Sequence, residues 1–198
     1  TRMAALHRTG VTAIALSLFA GIALPRASSR GAIMAGVPWP QPPAVVVDGP
    51  AGDPRTALVY AAVAHWNEVL AGLGSGFRFA RVSTGGSGGP GVIRVVLSDS
   101  TDFVSNAVRH SDREAVVTIR GMSAPPLSMP NVARNVIFHE LGHAIGVSHT
   151  SDPASVMCGR PAPCRPPLFA SPRPRYFPLN GEDRAKLLAM YPAGWPSR

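Results

Sequence analysis

The chain has 198 residues, of which 45% are hydrophobic and 15% charged, and its formal net charge is +8 at pH 7. A chain of this length can bury one hydrophobic core of catalytic size, whereas two domains would be cramped. The arginines are scattered, without interleaved aromatic residues or a single basic stripe, which argues against nucleic-acid binding. We expect a single folded domain, a monomer, with no nucleic-acid partner.

Residues 1–27 have the three-part composition of a secretory signal peptide. A basic start, TRMAALHR, precedes an uncharged apolar run at residues 11–24, and small and polar residues follow. The run is shorter than the ~20 residues that a membrane span needs. Cleavage near Ala27 predicts a secreted protein, extracellular or periplasmic, without stable membrane association. Loss of three arginines and no acid then lowers the charge from +8 to +5. An uncleaved leader would instead tether the protein to a membrane.

The domain itself is predicted to span residues 45–198, after a proline-rich extended lead-in at residues 28–44. AVVVDG reads as a short buried strand that begins near Val45. An amphipathic helix over 54–70 follows, with Asp53 as its cap and Pro54 at its first position. Its apolar residues recur at steps of three and four: Val59, Val63, Trp66 and Leu70.

Four further strands are predicted before the next helix, at residues 77–82, 92–98, 103–109 and 115–120. The glycine-rich segment TGGSGGPG joins the first two of these. It lacks the Gly-Lys-Ser/Thr ending of a phosphate loop and precedes a strand, so we interpret it as a connection.

Two helices complete the pattern. The first is capped by Ser128 or Asn131 and buries one face, formed by Val132, Val136, Ile137, Leu141, Ala144 and Ile145. The second is indicated by LNGEDRAKLLAMYP, in which Asn180 is the cap and Pro192 follows the end.

The first of these helices carries HELGHAIGVSH, residues 139–149. Residues four apart lie on one face of a helix, so His139 and His143 can offer two imidazole nitrogens to one ion. Gly146 can adopt the left-handed conformation that ends the helix and turns the chain back, which brings round His149. Three neutral histidines with one open position describe a catalytic zinc site, because structural zinc sites are closed by four protein ligands.

Glu140 lies about 100° around the helix from His139, beside the open position rather than on the metal. A carboxylate there can take a proton from an attacking water, which predicts Glu140 as the catalytic general base. The chain's other histidines, His7, His65 and His110, are too dispersed to form a second zinc site. No motif for an organic cofactor is present.

HELGHAIGVSH, followed eight residues later by Met157, resembles the metzincin metalloproteases. Within them it is similar to the matrixins, since Thr150 supplies the small hydroxyl residue after the third histidine and DPASVM leads into the methionine. AHWNEVL in the first helix and LNGEDRAKLLAMYP in the last resemble the family weakly. The resemblance covers about residues 37–192 and is strong over 132–157.

This resemblance implies zinc on His139, His143 and His149, a general base at Glu140, and Met157 as a hydrophobic floor beneath the metal. It implies an α+β fold that is partly α/β-like: a twisted, mostly parallel sheet with one antiparallel edge strand, an active-site helix, a methionine turn and a C-terminal helix. By chain order, residues 103–109 would be that edge and 115–120 its inner neighbour. An extended peptide substrate would add to the edge through backbone hydrogen bonds.

The expected function is therefore that of a secreted zinc endopeptidase acting on proteins or peptides. A catalytically silent secreted zinc-binding or adhesion module is the alternative. Calcium has little support, because Asp99 and Asp102 are the only candidates for an acidic cage.

Cys158 and Cys164 are the chain's two cysteines. In an exported protein they are expected to form a disulfide that closes the loop after Met157. In a reducing compartment they would be free thiols or metal ligands, although their spacing is not typical of zinc sites.

Overall fold

The computed structural model describes residues 35–86, 89–125, 127–159, 164 and 173–196. The predicted leader lies outside the described residues. The elements in chain order are β1 (Ala44–Asp48), α1 (Pro54–Gly72), β2 (Arg81–Thr84), β3 (Val92–Leu97), β4 (Asn106–Arg109), β5 (Glu114–Ile119), α2 (Pro130–Ala144) and α3 (Gly181–Met190).

The five strands form one sheet in the order β2-β1-β3-β5-β4. β1 pairs in parallel with β2 and β3, and β3 pairs in parallel with β5. β4 is antiparallel to β5 and lies at the edge. The mostly parallel sheet with one antiparallel edge strand is therefore confirmed, and the edge is formed by the third of the four strands predicted after the first helix.

The strand predicted at residues 77–82 begins later in the structure, as β2 at Arg81. Residues 77–82 were expected to be extended in the sheet, but the pairing of β2 with β1 begins at Arg81. Phe77 and Phe79 are buried instead. The ring of Phe77 packs on Tyr191 and Trp195, and the Phe79 amide donates to the Asn67 side chain at 2.9 Å. Packing against the C-terminal residues and α1, rather than strand pairing, holds this segment.

The helix caps were predicted with mixed success. The Asp53 carboxylate caps α1 by accepting the Arg55 amide, and Asn180 caps α3 in a reciprocal capping box with Asp183. For α2, the expected caps Ser128 and Asn131 are both wrong. Met129 stands at the cap without a side-chain hydrogen bond, and Pro130, whose missing N–H suits the first turn, starts the helix.

The lead-in packs on the folded core near Trp39, which is fully buried. The Trp39 indole N–H donates to the Ala144 carbonyl at 2.9 Å, at the end of α2. The Arg109 guanidinium lies 4.8 Å from the centre of the Trp39 ring, and the Trp195 indole N–H donates to the Trp39 carbonyl. These contacts fix the end of the helix that carries two of the zinc-ligand candidates.

A single hydrophobic cluster joins the sheet to α1 and α2, which also pack on each other. α2 is buried over most of its length because the sheet, α1 and the chain at residues 173–177 surround it. Among the described residues, no helix combines the length and apolar character needed to cross a bilayer.

Candidate metal centre and active site

The three predicted histidines converge at one point. The Nε2 atoms of His139 and His143 are 2.9 Å apart, those of His143 and His149 are 2.9 Å apart, and those of His139 and His149 are 3.2 Å apart. Within the described residues, they form the only group of three or more potential ligand side chains that could hold a metal ion.

The outer nitrogens of the two helical histidines are held by backbone carbonyls. His139 Nδ1 lies 2.6 Å from the Val156 carbonyl and His143 Nδ1 lies 2.7 Å from the Val147 carbonyl. A carbonyl only accepts, so each Nδ1 carries the proton and each Nε2 presents its lone pair to the centre. Burial lowers the pKa of His139 to about 4 and of His143 to about 3. Both rings are thus neutral near pH 7, as a metal ligand must be.

This arrangement fits zinc. Nitrogens bound at about 2.0–2.1 Å in a tetrahedron lie about 3.3–3.4 Å apart, close to the observed separations. The donor set is three neutral imidazoles without cysteine, which is the ligand chemistry of a catalytic rather than a structural zinc ion.

His149 is placed by a turn and by a close backbone contact. Helix α2 ends at Ala144, and Gly146 has φ +97°, which turns the chain back as predicted. Beyond the turn, the Thr150 amide donates to the Met157 carbonyl at 3.0 Å and the Gly159 amide donates to the Thr150 carbonyl at 3.1 Å. This pairing lays the backbone of Gly159 directly on the imidazole of His149. A Cβ built at Gly159 would overlap the ring atoms Cγ, Cδ2 and Nδ1.

We expect Gly159→Ala to weaken zinc binding by about 10- to 100-fold, the usual cost when a ligand's supporting contact is lost. The added methyl group must displace either the His149 ring or the backbone that supports it. Zinc affinity measured by competition with a chromogenic chelator checks this result. Gly72→Ala is the matched control, because a Cβ there meets nothing within 4 Å. Equal zinc affinity of the Gly159 variant and wild type would contradict the positioning role.

Met157 is fully buried beneath α2. A Cβ built at Gly142 would lie 2.7 Å from its Sδ atom and 3.0 Å from the Trp66 ring, so only glycine fits at this helix position. Trp66 in turn donates its indole N–H to the Phe138 carbonyl at 2.9 Å. The methionine thus packs under the turn of helix that separates His139 from His143.

The turn that presents Met157 depends on two residues that sequence reasoning missed. The Ser155 hydroxyl accepts the Met157 amide at 3.0 Å and donates to the Asp183 carboxylate at 2.7 Å. Asp183 is fully buried, and burial raises its pKa. Asp183 lies in the first turn of α3, where it completes the capping box with Asn180, but nothing in the sequence indicated that its carboxylate reaches residue 155.

Glu140 is adjacent to the histidines, with a side chain that is 6% exposed. Burial raises its pKa to about 8, and no ion pair with it is formed among the described residues. Glu140 and His139 share the wall of a cavity of about 310 Å³ with Val104 and Ser105, which precede the edge strand. Glu140 therefore lines a space beside the metal centre that can hold part of a substrate.

The same cavity is bounded by Cys158 and Cys164, which are joined in a disulfide with their Cα atoms 5.5 Å apart. The other candidate ligands lie apart from the centre. The His65 ring stacks on Tyr176 at 4.1 Å, and His110 is exposed near β5. Asp99 pairs with Arg55 at 3.3 Å, and no acidic cage forms around Asp99 or Asp102 within the described part of the chain.

Comparison with known proteins agrees with this site. The family model of the matrixins matches residues 99–191. Archaemetzincin from Methanopyrus kandleri has a solved structure that is 14% identical, covering 75% of this chain and 94% of that chain with a TM-score of 0.41. A similarity this low supports no argument by itself. A comparison with curated protein sequences finds no match.

The matrixin match spans the whole constellation, from the edge strand through the histidines and Met157 to α3. Family and geometry therefore describe one site, which takes one catalytic zinc ion and acts on peptides or proteins. The site has the features of a metzincin-like zinc metallopeptidase, and the matrixin model matches the chain over residues 99–191.

Proposed function

We propose that the protein is a secreted endopeptidase in which Glu140 is the general base. The observation that carries this proposal is that Glu140, next to His139 in the chain, is buried and lines the same cavity as His139 and the residues before the edge strand. A group in that place reaches both a water at the metal and a peptide bond laid along the cleft.

The substrate is held in extended form. β4 pairs with β5 on one side only, and no described strand pairs with its other side. A peptide that adds there exchanges backbone hydrogen bonds with β4, which gives affinity without demanding a particular sequence. Because both ends of such a peptide continue beyond the strand, internal bonds of a longer chain are the natural targets.

Glu140 moves the proton. Zinc held by His139, His143 and His149 would polarise the scissile carbonyl and make a nearby water more acidic. The Glu140 carboxylate accepts the proton of the attacking water and passes it to the leaving amine as the peptide bond breaks. Burial by itself raises the pKa of Glu140 to about 8. A dication on the three histidines favours the ionised form and so keeps the base available near neutral pH.

Secretion is supported by the composition of residues 1–27 and by the disulfide, which persists in oxidising compartments. A soluble monomer without nucleic-acid or stable membrane partners agrees with the scattered positive charge. Chelator treatment of the secreted material, followed by a peptide assay, distinguishes an active peptidase from a silent zinc-binding module.

A doubly blocked peptide tests the endopeptidase assignment. A long peptide that is acetylated at its N-terminus and amidated at its C-terminus should be cut internally, and mass spectrometry of both fragments locates the bond. If the blocked peptide stays intact while the same peptide with free ends loses terminal residues, the enzyme is an exopeptidase and the proposal is contradicted.

Replacing both Cys158 and Cys164 with serine should lower stability modestly and leave zinc bound. A bridge over so short a loop stabilises by about 2 kcal/mol in the chain-entropy model. Because the disulfide borders the cavity, cleavage-site preference should change more than overall rate. Thermal unfolding, zinc analysis and a peptide-library digest measure the three effects. Higher activity in the double variant would contradict this account and would instead make Cys158 an inhibitor of the metal site.

A further inference from the structure

The cavity beside the metal centre has a mainly apolar wall with few polar side chains. The apolar part of the wall includes Leu127, Val132, Val136, Val156 and Phe177, together with the disulfide. The polar side chains in it are Ser105, Arg120, Asn135, His139, Glu140 and Ser155.

Most of these polar groups are already engaged. The Asn135 amide donates to the Asn131 and Arg175 carbonyls at 2.8 and 3.0 Å, and its oxygen accepts the Phe177 amide at 2.7 Å. Ser155 bonds Asp183 and Met157, as described above.

Ser105 accepts the Arg120 amide at 3.1 Å. His139 and Glu140 belong to the metal centre. Arg120 is the remaining charged residue in this lining that lies outside the metal centre.

The guanidinium of Arg120 has no counterion within the described part of the chain. No carboxylate of the described residues forms an ion pair with it, whereas Arg55 and Arg94 each contact an aspartate. Its Nε atom is buried and has no acceptor within hydrogen-bonding distance in the described chain. A cation in a partly apolar wall is stabilised strongly by a carboxylate, because an arginine can bind both carboxylate oxygens at once.

The backbone of Arg120 is held on both sides. Its amide bonds Ser105, and its carbonyl accepts from Arg55 Nη1 at 2.9 Å. The same Arg55 nitrogen also binds the Ser98 carbonyl at 2.6 Å, which ties the ends of β3 and β5 together. Arg55 is 4% exposed and paired with Asp53 at 2.5 Å. The backbone of Arg120 is therefore held rigidly. A residue that discriminates between substrates requires such support.

We propose that Arg120 determines specificity by selecting an acidic substrate side chain in this cavity, with glutamate favoured over leucine at the residue that follows the scissile bond. The inference rests on the proposed function, since it concerns the same cleft. The methylene groups of glutamate lie against the apolar wall while its carboxylate pairs with the guanidinium. A leucine side chain fits the same apolar wall but leaves the guanidinium without a partner.

Internally quenched peptides of one scaffold test this proposal when only the residue after the scissile bond varies among glutamate, glutamine, leucine and lysine. Wild type should cleave the glutamate peptide about tenfold faster, by kcat/KM, than the leucine peptide, with lysine poorest. Arg120→Met should remove that preference while leucine cleavage persists, and Arg120→Lys should retain part of it. Arg113→Met is the matched control, because Arg113 is exposed and lies outside the cavity lining. Its preference ratio should equal that of wild type.

The outcomes separate the two proposals. Leucine cleavage equal to or faster than glutamate cleavage in wild type overturns the role of Arg120 and leaves the endopeptidase intact. An unchanged ratio in a folded, zinc-loaded Arg120→Met variant does the same. Failure to cleave any blocked peptide overturns both. If Arg120→Met does not fold, the wild-type panel and Arg120→Lys still decide the question.

Discussion

Replacing Glu140 with alanine is expected to lower kcat/KM by about 10²- to 10⁴-fold, the usual contribution of a general base. Zinc should remain at about one ion per chain, because none of the three imidazoles is altered. Metal analysis and a fluorogenic peptide assay on the same preparation measure both quantities.

Two comparisons make this prediction specific. Glu140→Gln keeps the size of the side chain and removes only its basicity, so it should be nearly as inactive as alanine. Glu182→Ala removes a solvent-exposed carboxylate that pairs with Lys186 on α3, and it should keep wild-type activity. A Glu140→Ala variant that retains a tenth of the wild-type rate would refute the assignment of Glu140 as the general base.

Replacing His149 with alanine should have the largest effect on the metal itself. Loss of an outer hydrogen-bonding partner already costs about 10- to 100-fold in metal affinity, so loss of a direct ligand should cost more. Only the two helical imidazoles would remain, and the ion would be exposed to solvent on the side where His149 now lies. Dialysis against a mild chelator followed by metal analysis should leave the variant without zinc.

His110→Ala is the control for this experiment, since His110 is exposed and distant from the cluster. It should retain zinc as wild type does. Undiminished zinc in the His149 variant would contradict its assignment as the third ligand.

The metal centre was predictable because the residues that form it lie within eleven positions of one another in the sequence. The spacing of His139 and His143 on one helix and the turn at Gly146 together specify where His149 must lie. The same reasoning predicted the caps of α1 and α3, where the capping residue and the amide it binds are two or three positions apart. The mostly parallel sheet and its antiparallel edge came from the family resemblance and from the order of the strands along the chain, and not from any periodicity.

Features that depend on distant contacts were not predictable. Trp39 lies in a proline-rich stretch that reads as a linker, yet it is buried by residues more than 100 positions away. The start of α2 is stabilised by residues 173–177, through Asn131 and Asn135, rather than by a side-chain cap. The sequence gives no sign of the role of Arg55, which binds carbonyls at the ends of two strands. In each case the decisive partner is brought close only by the complete fold.

Zinc reconstitution tests the central claim most directly. Purified protein is stripped with a chelator, and peptide cleavage is then measured as zinc is added back in known equivalents. Activity should be absent from the stripped protein, rise in proportion to added zinc, and reach a plateau at one equivalent per chain. Cleavage that survives complete removal of zinc, or that stays absent at a full equivalent of bound zinc, would contradict the assignment of a single catalytic zinc ion on His139, His143 and His149.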